Sequence, residues 1–518
     1  MNLRPGGHVF HLIGIWAALT SIGRELTGGG RLVYKTLSAG VPTKMTNFNP
    51  VGGRVLERLA GLLSPTRVTS DPDIVSGYSH DEFSMREIAR APDVVVKPET
   101  ADEVAGILRL ARAERIPVTP RGGATGLCGG CVPVLGGIVL SLEKMNRVEE
   151  VDVANQMAVT QAGATLGEFS RAVEDAGLYF PPHPGDESAM MGGLIATNAG
   201  GSRAVKYGGI RNYIRGLEVV SAKGDILRLG GKLIKSSTGY NLLQLFIGSE
   251  GTLGVITRAT VQLMTKPAFI RTLVIPFTAL EAAVETVPLL LQRGILPMAV
   301  EFLERDVIQI TEEHLEKRWP AREGTDHLFV ILDAGTEEEI DRLSQQVAEV
   351  CLERGALDVF VSDTPAKQEE VLAIRSKIYE ALKRETVEIL DISVPRAAIA
   401  GHVRFVREVA RRYEVWLPTF GHAGDGNVHT HIMKARFEAG RAVAIPEAEW
   451  RNKAEAVRDE LLRDAIERGG VVSGEHGIGL VKKPYLALNL GASEIELMRG
   501  LKRVFDPDGI LNPGKIFD

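Results

Sequence analysis

Three histidines and one glutamate near the C-terminus have the types and spacing of a metal site. His422, His429 and His431 lie close together, although the whole chain has only 11 histidines. Glu475 follows in a glycine-rich stretch, 473–479. Neutral imidazole and carboxylate are ordinary ligands of zinc-like ions, and three protein ligands leave the open position that a catalytic metal needs. We predict a divalent metal at His422, His429 and Glu475; the alternative is that the histidines are structural.

The surrounding segments are of a kind that brings these residues together. Between His422 and His429 the chain turns tightly through Ala-Gly-Asp-Gly-Asn, which lets both imidazoles point inward. A long charged helix is predicted over 447–468, before Glu475. Such a helix would return the chain to the histidines, so that the carboxylate and the imidazoles meet.

Glycine pairs in residues 181–257 indicate a second kind of site. They include Gly192-Gly193, Gly200-Gly201 and Gly208-Gly209, and more glycines follow at 248–254. Because glycine has no Cβ, it permits positive φ and lets a ligand lie against bare backbone. We interpret the stretch as the binding surface of a large flat ligand. The alternative is a loop-rich β-domain in which glycine only makes turns.

A glycine-rich loop at Pro120–Gly130 is a second candidate platform. It follows a predicted β-α-β unit, with a strand at 94–96, a helix that begins with a capping box at 100–103, and a strand at 116–119. Backbone N–H groups of such a loop can bind phosphate. The spacing matches neither G-x-G-x-x-G nor a Walker loop. Two glycine platforms in one candidate domain nevertheless fit a long dinucleotide.

The sequence changes character after Lys266-Pro267, where glycine becomes rarer and strands alternate with helices. We predict strands at 271–276, 297–303, 327–332 and 358–361, and helices at 279–292 and 336–354. Two β-α-β arrangements side by side predict a ferredoxin-like α+β domain. Such a domain often covers a site contributed by its neighbour.

Length and composition limit the class of protein. At 518 residues the chain is too long for one core and suggests about three domains. The formal net charge of −6 argues against nucleic acid as the main partner. The three cysteines fit a reducing compartment without a disulfide framework. Cys128 and Cys131 have redox-motif spacing, but they lack the flanks of a thioredoxin helix.

Residues 1–44 are predicted to lie outside the fold. Their apolar run, residues 9–19, is too short to span a bilayer, and no Ala-x-Ala cleavage site follows it closely. The segment is also basic, with a single acidic residue. Two interpretations stay open, a transit peptide or a start codon placed too far upstream, with Met45 as the true start.

Seven motifs, in order along the chain, resemble those of a known family. They are Pro120–Gly130, Gly192–Gly201, Lys206–Gly208, Gly248–Gly254, Gly421–His429, Gly474–Gly479 and Leu511–Lys515. Over residues 60–518 the chain resembles the flavoproteins with the FAD domain of the vanillyl-alcohol oxidase and p-cresol methylhydroxylase (PCMH) type. Within them it resembles the 2-hydroxy acid dehydrogenases, which include D-lactate dehydrogenase, the FAD-bearing subunit of glycolate oxidase and D-2-hydroxyglutarate dehydrogenase.

The resemblance implies a fold and a domain division. The fold is an α+β protein, with a two-subdomain FAD-binding domain of the PCMH type, a ferredoxin-like α+β cap and a C-terminal helical segment. The FAD-binding domain would take residues 45–266, with its core at 88–266. A FAD-linked oxidase C-terminal domain would take 267–518. In this domain 267–420 is the cap, and 421–518 carries the catalytic motifs and returns to the FAD domain.

The resemblance also implies roles for individual residues. FAD would be bound by residues that lie mostly on the glycine platforms: Pro120, Arg121, Gly122, Gly123, Ala124, Thr125, Gly126, Pro184, Gly185, Ser188, Gly192, Gly193, Thr197, Asn198, Gly200, Gly201, Glu250, Val255, Ile256, Asn512 and Lys515. The family's metal ligands match the three residues predicted above. Its catalytic histidine matches His476, and Arg375 or Arg396 would hold the substrate carboxylate.

Two departures from the family pattern affect the expected chemistry. His183 stands where relatives commonly have aspartate in a Pro-Asp-Pro-Gly turn. Covalent attachment of the flavin there stays open, although free FAD is the norm in this branch. The segment 388–390, before Asp391, lacks the lysine that 2-hydroxyglutarate enzymes use for a second carboxylate. This departure argues against a dicarboxylate substrate.

The implied function is FAD-dependent oxidation of a small 2-hydroxy acid, D-lactate or glycolate, to the 2-oxo acid. Electrons would pass to a cytochrome, a quinone, an electron-transfer flavoprotein or an iron–sulfur subunit. An iron–sulfur centre would have to lie in another chain, because this chain has no cysteine cluster to hold one. Two alternatives are an ether-lipid synthase of the same fold and a non-catalytic flavin-binding subunit. A cytoplasmic protein is expected. Peripheral attachment to a membrane and assembly into a homodimer both stay open. Mitochondrial location is the alternative if residues 1–44 are a transit peptide.

Overall fold

The computed structural model describes residues 48–82, 88–362, 364–450 and 453–517. The predictions for residues 1–44 lie outside this part of the chain. Within it, no helix is both long and apolar enough to cross a membrane.

The first half of the described chain is built around two sheets. Its strands are β1 (Val68–Thr69), β2 (Val94–Val96), β3 (Val118–Arg121), β4 (Ile138–Ser141), β5 (Val148–Asp152), β6 (Met157–Gln161), β7 (Leu178–Tyr179), β8 (Ile214–Ser221), β9 (Ile226–Gly230), β10 (Gly254–Gln262) and β11 (Met264–Thr265). Its helices are α1 (Gly53–Leu63), α2 (Pro72–Val75), α3 (Ala101–Glu114), α4 (Leu166–Asp175), α5 (Met191–Thr197), α6 (Ala204–Tyr207) and α7 (Leu243–Phe246). The larger sheets have the orders β1-β2-β4-β3 and β5-β6-β10-β8-β9, and β7 pairs with β11.

The predicted β-α-β unit is present as β2, α3 and β3. The three valines of β2 are fully buried, as expected for a strand of a parallel sheet that is covered on both faces. Thr100 caps α3, because its Oγ1 accepts a hydrogen bond from the Glu103 N–H at 3.2 Å. β3 then leads directly into the glycine-rich loop, so the first platform begins at a strand end, as predicted.

The second half of the described chain is dominated by one antiparallel sheet. Its strands are β12 (Phe269–Phe277), β13 (Ala299–Glu304), β14 (Asp326–Ala334), β15 (Phe360–Ser362), β16 (Thr386–Ser393), β17 (Thr419–His422), β18 (Asn427–Met433), β19 (Ala435–Glu438) and β20 (Arg441–Ala444). Its helices are α8 (Leu280–Gln292), α9 (Arg305–Leu315), α10 (Glu337–Glu353), α11 (Pro365–Ser376), α12 (Ile378–Leu382), α13 (Ile399–Tyr413), α14 (Glu447–Trp450), α15 (Lys453–Glu467), α16 (Leu486–Asn489) and α17 (Ala492–Phe505). Seven strands form the sheet β15-β12-β14-β13-β17-β18-β16, and β19 pairs with β20.

This sheet extends beyond the cap predicted at 267–420. β17 and β18 carry the clustered histidines, and β17 pairs with β13, so the histidines belong to the same sheet as the cap strands. β16, which the sequence pattern did not reveal, completes the sheet by pairing with β18. The histidines are therefore fixed by cross-strand pairing.

Separate apolar cores divide the described chain. One core is formed by residues between 55 and 263, together with Ile510 and Leu511. Two others, between 273 and 472, contain alternate residues of the seven-stranded sheet and so lie on its two faces. This division supports the proposed domain boundary at 266–267.

The C-terminal segment returns to the first core. The Val118 N–H donates to the Ile510 carbonyl, and the Asn512 N–H donates to the Val118 carbonyl, both at 2.8 Å. The chain end is thus hydrogen-bonded alongside β3, beside the first glycine platform.

Candidate active site

Two imidazole nitrogens and one carboxylate oxygen converge beside β17 and β18. The Nε2 atoms of His422 and His429 are 3.4 Å apart. Glu475 Oε1 lies 3.5 Å from the first and 3.4 Å from the second. The three atoms form an almost equilateral triangle. Tetrahedral ligands at 2.0–2.1 Å from zinc are about 3.4 Å apart, so the triangle fits such an ion without rearrangement.

The strand pairing explains why both imidazoles point the same way. His422 lies opposite Asn427, and His429 lies opposite Phe420. Side chains directly opposite each other in antiparallel strands share a face, and so do residues two apart in one strand. His422 therefore lies on the same face as Phe420 and hence as His429. The turn between the strands requires Gly426, which has φ +99° and whose Cβ would lie 2.1 Å from the Val394 carbonyl oxygen. The predicted tight turn and the common direction of the two histidines are both confirmed.

The charges around the triangle favour a cation. The nearby charged side chains are Glu301, Asp391, Glu475, Arg375 and Lys482. Three carboxylates therefore face two fixed cations. Burial lowers the pKa of His422, but the charges of Glu301 and Glu475 outweigh it and raise that pKa well above its usual value. Burial lowers the pKa of His429 to about 3, so this imidazole is neutral and able to bind a metal.

Asp391 is a site residue that the sequence analysis did not identify. It lies on β16, it is fully buried, and it accepts hydrogen bonds from the consecutive N–H groups of residues 474–476. Lys482 Nζ and Ser473 Oγ donate to the same carboxylate at 3.0 and 2.9 Å. Burial opposes ionisation, but the neighbouring positive charges and the N–H groups hold the pKa of Asp391 well below its usual value. Asp391 thus anchors the loop that carries Glu475.

A second set of ligand-type atoms overlaps the triangle. Asp391, His429, Glu475 and His476 place such atoms within 4.8 Å of one another. The carboxylate of Asp391 is already surrounded by N–H, hydroxyl and ammonium donors, so it is a poor metal ligand. The set that contains His422 is the better candidate.

His476 lies against the same cluster. Its ring stacks on that of His429, with centroids 5.4 Å apart and an angle of 16° between the planes. Its Nδ1 is enclosed without a hydrogen-bond partner among the described residues, 3.9 Å from an Asp391 oxygen. Burial lowers the pKa of His476 and outweighs the opposing charge of Asp391. The imidazole is therefore neutral near pH 7 and can accept a proton.

The two predicted arginines lie in different surroundings. Arg375, at the end of α11, has its guanidinium 5.3 Å from the centre of the Phe420 ring, which in turn lies 5.5 Å from the His429 ring. Arg396 is exposed in a short 3-10 helix after β16, and in the described part of the chain it makes no hydrogen bond or ion pair with the residues above. The structure brings Arg375, and not Arg396, to the histidines.

The glycine pair at 192–193 lies in helix α5 and not in a turn. Neither residue has a positive φ. A Cβ at Gly192 would lie 2.6 Å from the Cβ of Ala162, so close packing requires this glycine. A Cβ at Gly193 would meet no atom within 4 Å, so this glycine faces open space. That space is the surface on which we expected a flat ligand.

The first glycine platform lies against the second. A Cβ at Gly123 would be 2.9 Å from the Ser188 carbonyl oxygen, and a Cβ at Gly122 would be 3.7 Å from the Cα of Gly193. The glycine-rich loop therefore packs against the segment that carries α5, and we call the open space beside Gly193 the groove. The Arg121 guanidinium donates to the His80 carbonyl at 2.7 Å and to the Gly77 carbonyl at 3.3 Å, so it is bound to protein groups.

The remaining predicted flavin residues lie beside the first platform or make local contacts elsewhere in the domain. The side-chain nitrogens of Asn512 and Lys515 donate to the carbonyls of Gly130 and Val132, beside the first platform. Other members of the predicted set have local roles. Thr197 donates to the Gly193 carbonyl, and Ser188 donates to the Asp186 carboxylate. Asn198 accepts from the Arg211 N–H, Gly185 donates to His183 Nδ1, and Val255 and Ile256 are buried in β10. Pro120 lies within β3, and Ala124, Thr125, Gly126 and Pro184 are at least partly accessible.

Cys128 and Cys131 lie in this loop as free thiols. Burial raises the pKa of Cys128 to about 12 and that of Cys131 to about 11. Both are therefore protonated at neutral pH, which argues against redox or metal chemistry at the pair.

Gly200 connects the groove to the histidine cluster. A Cβ at this position would lie 2.5 Å from Glu475 Oε2. Glu250 makes a second connection, because its carboxylate accepts from the N–H groups of Ile478 and Gly479 at 2.8 and 2.7 Å. The end of the groove therefore adjoins the candidate metal triangle.

Gly193→Val is expected to abolish flavin binding without unfolding the protein, because the added side chain enters only the open groove. Flavin content is measured by absorbance after purification, and stability by thermal unfolding of the protein with its flavin removed. Gly192→Val is the contrasting variant, since it overpacks against Ala162 and should lower stability even without flavin. Normal flavin content in Gly193→Val would show that FAD does not lie on α5.

Comparison with known proteins agrees with this architecture. The model of the FAD binding domain matches residues 92–230, and that of the C-terminal domain of FAD linked oxidases matches 266–516. A solved structure of p-cresol methylhydroxylase with substrate bound has a TM-score of 0.72 and 19% identity, and the match covers 90% of this chain and 96% of that one. The fold is thus that of a flavoprotein with a PCMH-type FAD-binding domain.

Sequence relatives identify the family within this fold. D-lactate dehydrogenase of Archaeoglobus fulgidus is 45% identical, over 85% of this chain and 95% of the relative. Glycolate oxidase subunit GlcD of Bacillus subtilis is 37% identical, over 85% of this chain and 92% of the relative. The chain belongs to the FAD-linked oxidoreductases of the D-lactate, glycolate and D-2-hydroxyglutarate dehydrogenase type. The resemblance noted in the sequence is confirmed.

Proposed function

We propose that the protein oxidises a small 2-hydroxy acid with one carboxylate, D-lactate or glycolate, to the corresponding 2-oxo acid. The observation that carries this proposal is the contact of Gly200 with Glu475, which joins the glycine groove to the metal triangle. The groove would hold FAD, which would supply the redox chemistry, and the electron acceptor would be a cytochrome, a quinone, an electron-transfer flavoprotein or an iron–sulfur subunit.

His422, His429 and Glu475 would hold the metal, which as a Lewis acid lowers the pKa of the substrate hydroxyl. His476 accepts the hydroxyl proton. Its Nδ1 is enclosed beside Asp391, so we assign the transfer to Nε2. Stacking on His429 holds the base next to a metal ligand and hence next to the hydroxyl.

Arg375 binds the substrate carboxylate. Its position over the Phe420 ring, and its pairing with the carboxylate that also binds His422, place a permanent positive charge near the metal triangle. β16 offers no cation for a second carboxylate at 388, since Glu388 is buried and paired with Arg458. These charges support a monocarboxylate substrate.

Substrate choice is tested with an artificial dye as electron acceptor. D-lactate, L-lactate, glycolate and D-2-hydroxyglutarate are compared by kcat/KM. D-lactate or glycolate is expected to exceed D-2-hydroxyglutarate by at least tenfold. The opposite order would contradict the monocarboxylate assignment, and no turnover of any 2-hydroxy acid would contradict the proposed reaction.

Removal of the metal is expected to abolish turnover and to leave FAD bound, because the triangle adjoins only the end of the groove, at Gly200. The enzyme is dialysed against a chelator, and metal content, flavin absorbance and turnover are measured before and after zinc or manganese is added back. Active enzyme with no stoichiometric metal would show that the triangle only makes hydrogen bonds.

A further inference from the structure

A buried carboxylate lies between His422 and Arg375. Glu301, on β13, is fully buried. Its Oε1 accepts a hydrogen bond from His422 Nδ1 at 2.5 Å. Its Oε2 accepts from Arg375 Nε at 2.7 Å and also from Arg375 Nη2. Both oxygens are therefore committed to these two side chains, which come from different elements, β17 and α11.

We propose that Glu301 is a positioning residue that sets His422 and Arg375 as one unit for the reaction. The inference rests on the proposed function, in which His422 binds the metal and Arg375 binds the substrate carboxylate. A carboxylate only accepts hydrogen bonds, so His422 Nδ1 must carry a hydrogen. In the neutral ring the lone pair is then on Nε2, the atom that faces the triangle. Glu301 thus selects the tautomer that can bind a metal.

The same carboxylate fixes the guanidinium. Glu301 holds Nε and Nη2 of Arg375 on the protein side, while the Phe420 ring lies 5.3 Å from the guanidinium carbon. In the described part of the chain no residue accepts a hydrogen bond from Nη1, which leaves that nitrogen for the acid. One carboxylate thereby sets the distance between the metal ligand and the carboxylate-binding cation.

Glu301→Gln tests this role, because the amide has nearly the same size but only one acceptor. With its oxygen toward Arg375, its NH₂ group meets His422 Nδ1 and favours the tautomer with hydrogen on Nε2. That tautomer cannot bind a metal. With its oxygen toward His422, the NH₂ group meets the guanidinium and displaces it. The glutamine therefore satisfies one neighbour at the expense of the other.

Glu304→Gln is a matched control on the same strand. Glu304 is also buried and accepts from the Arg407 Nε at 2.7 Å, but it contacts neither His422 nor Arg375. Both variants replace a buried glutamate that is hydrogen-bonded to an arginine. Only Glu301→Gln is expected to disturb the site, whereas a general effect of weakening the sheet would be shared by both.

The experiment measures the metal dissociation constant of the flavin-loaded enzyme by chelator competition, together with kcat and KM. Glu301→Gln is expected to weaken metal binding by about 10- to 100-fold and to raise KM, measured with saturating metal. Glu304→Gln is expected to leave both values unchanged. Glu301→Asp keeps a carboxylate but is one methylene shorter, so it cannot keep both contacts at once. Its metal affinity is expected to lie between those of the wild type and Glu301→Gln, and its KM above that of the wild type.

Wild-type values for metal binding and KM in Glu301→Gln would overturn the positioning role, as would equal losses in Glu304→Gln. If Glu301→Gln does not fold, the same measurements on Glu301→Asp decide, with unchanged metal binding and KM overturning the role. Absence of stoichiometric metal from the wild-type enzyme would instead contradict the proposed function. The two failures are distinguishable because the wild-type metal content is determined first.

Discussion

His476→Asn is expected to slow reduction of the flavin by about 10²- to 10⁴-fold, the usual contribution of a positioned general base. Asparagine keeps a polar side chain of similar reach, but it cannot accept the hydroxyl proton. The backbone N–H of residue 476 still donates to Asp391, so the loop and the proposed metal ligand Glu475 keep their positions. FAD and metal content should therefore stay at wild-type levels. The measurement is anaerobic stopped-flow reduction of the flavin by the 2-hydroxy acid.

His431→Asn is the control for this experiment. His431 is also buried, and it lies on the same face of β18 as His429. Its Nδ1, however, is hydrogen-bonded to Thr386 Oγ1 at 3.0 Å. We expect its replacement to leave the reduction rate within a few-fold of wild type. A wild-type rate in His476→Asn would show that the base lies elsewhere, and a large loss in His431→Asn would point to that residue.

Loss of Arg375 should differ in kind from loss of the base. A carboxylate clamp holds the ground state and the transition state alike, so Arg375→Ala is expected to raise KM more than it lowers kcat. The comparison of kcat and KM with D-lactate or glycolate measures this. A fall in kcat with unchanged KM would show that Arg375 does not bind the substrate.

Local elements could be predicted from the sequence, and their long-range pairing could not. The β2-α3-β3 unit and helices α8 and α10 have clear periodicity and end signals, and they form close to the predicted positions. The pairing of β16 with β18 and of β17 with β13 joins segments far apart in sequence. A single sequence carries no direct signal for such pairs.

The same limit applies to the site. His422, His429 and Glu475 could be predicted because their types and glycine-rich surroundings are unusual, and the structure places their ligand atoms within 3.5 Å. Asp391 and Glu301 were missed because each carboxylate stands between two apolar residues of its strand, with no histidine or glycine motif beside it. Their roles depend on partners about 75 to 120 residues away, which only the fold brings close.

The helix at 191–197 shows a different limit. Two adjacent glycines disfavour a helix by about 1 kcal/mol each relative to alanine, so the pattern favours a turn. The helix forms despite this cost, and the glycines are needed because α5 packs tightly on Ala162 and leaves bare backbone at Gly193. Both the packing on Ala162 and the open space at Gly193 arise from the tertiary structure, which a local sequence pattern does not reveal.

Asp391→Asn is expected to remove both the metal and the activity. Loss of one partner from a buried ion pair typically costs about 3–5 kcal/mol. Here the change would leave Lys482 without its carboxylate and turn an NH₂ group toward the N–H groups of residues 474–476. The loop should then detach from β16 and carry Glu475 and His476 away from their positions. Activity should fall by more than in His476→Asn.

Asp506→Asn separates loss of the anchor from loss of stability. Asp506 is likewise buried, and it accepts from Lys502 Nζ and from the N–H groups of Ile510 and Leu511 at 3.1 and 2.8 Å. Both variants should unfold at a lower temperature than wild type. With FAD saturating, only Asp391→Asn should lose metal and flavin reduction, because Asp506 anchors the C-terminal segment and not the 473–479 loop. An Asp391→Asn enzyme with stoichiometric metal and a wild-type reduction rate would show that Glu475 and His476 are held by the metal and the surrounding sheet without this carboxylate.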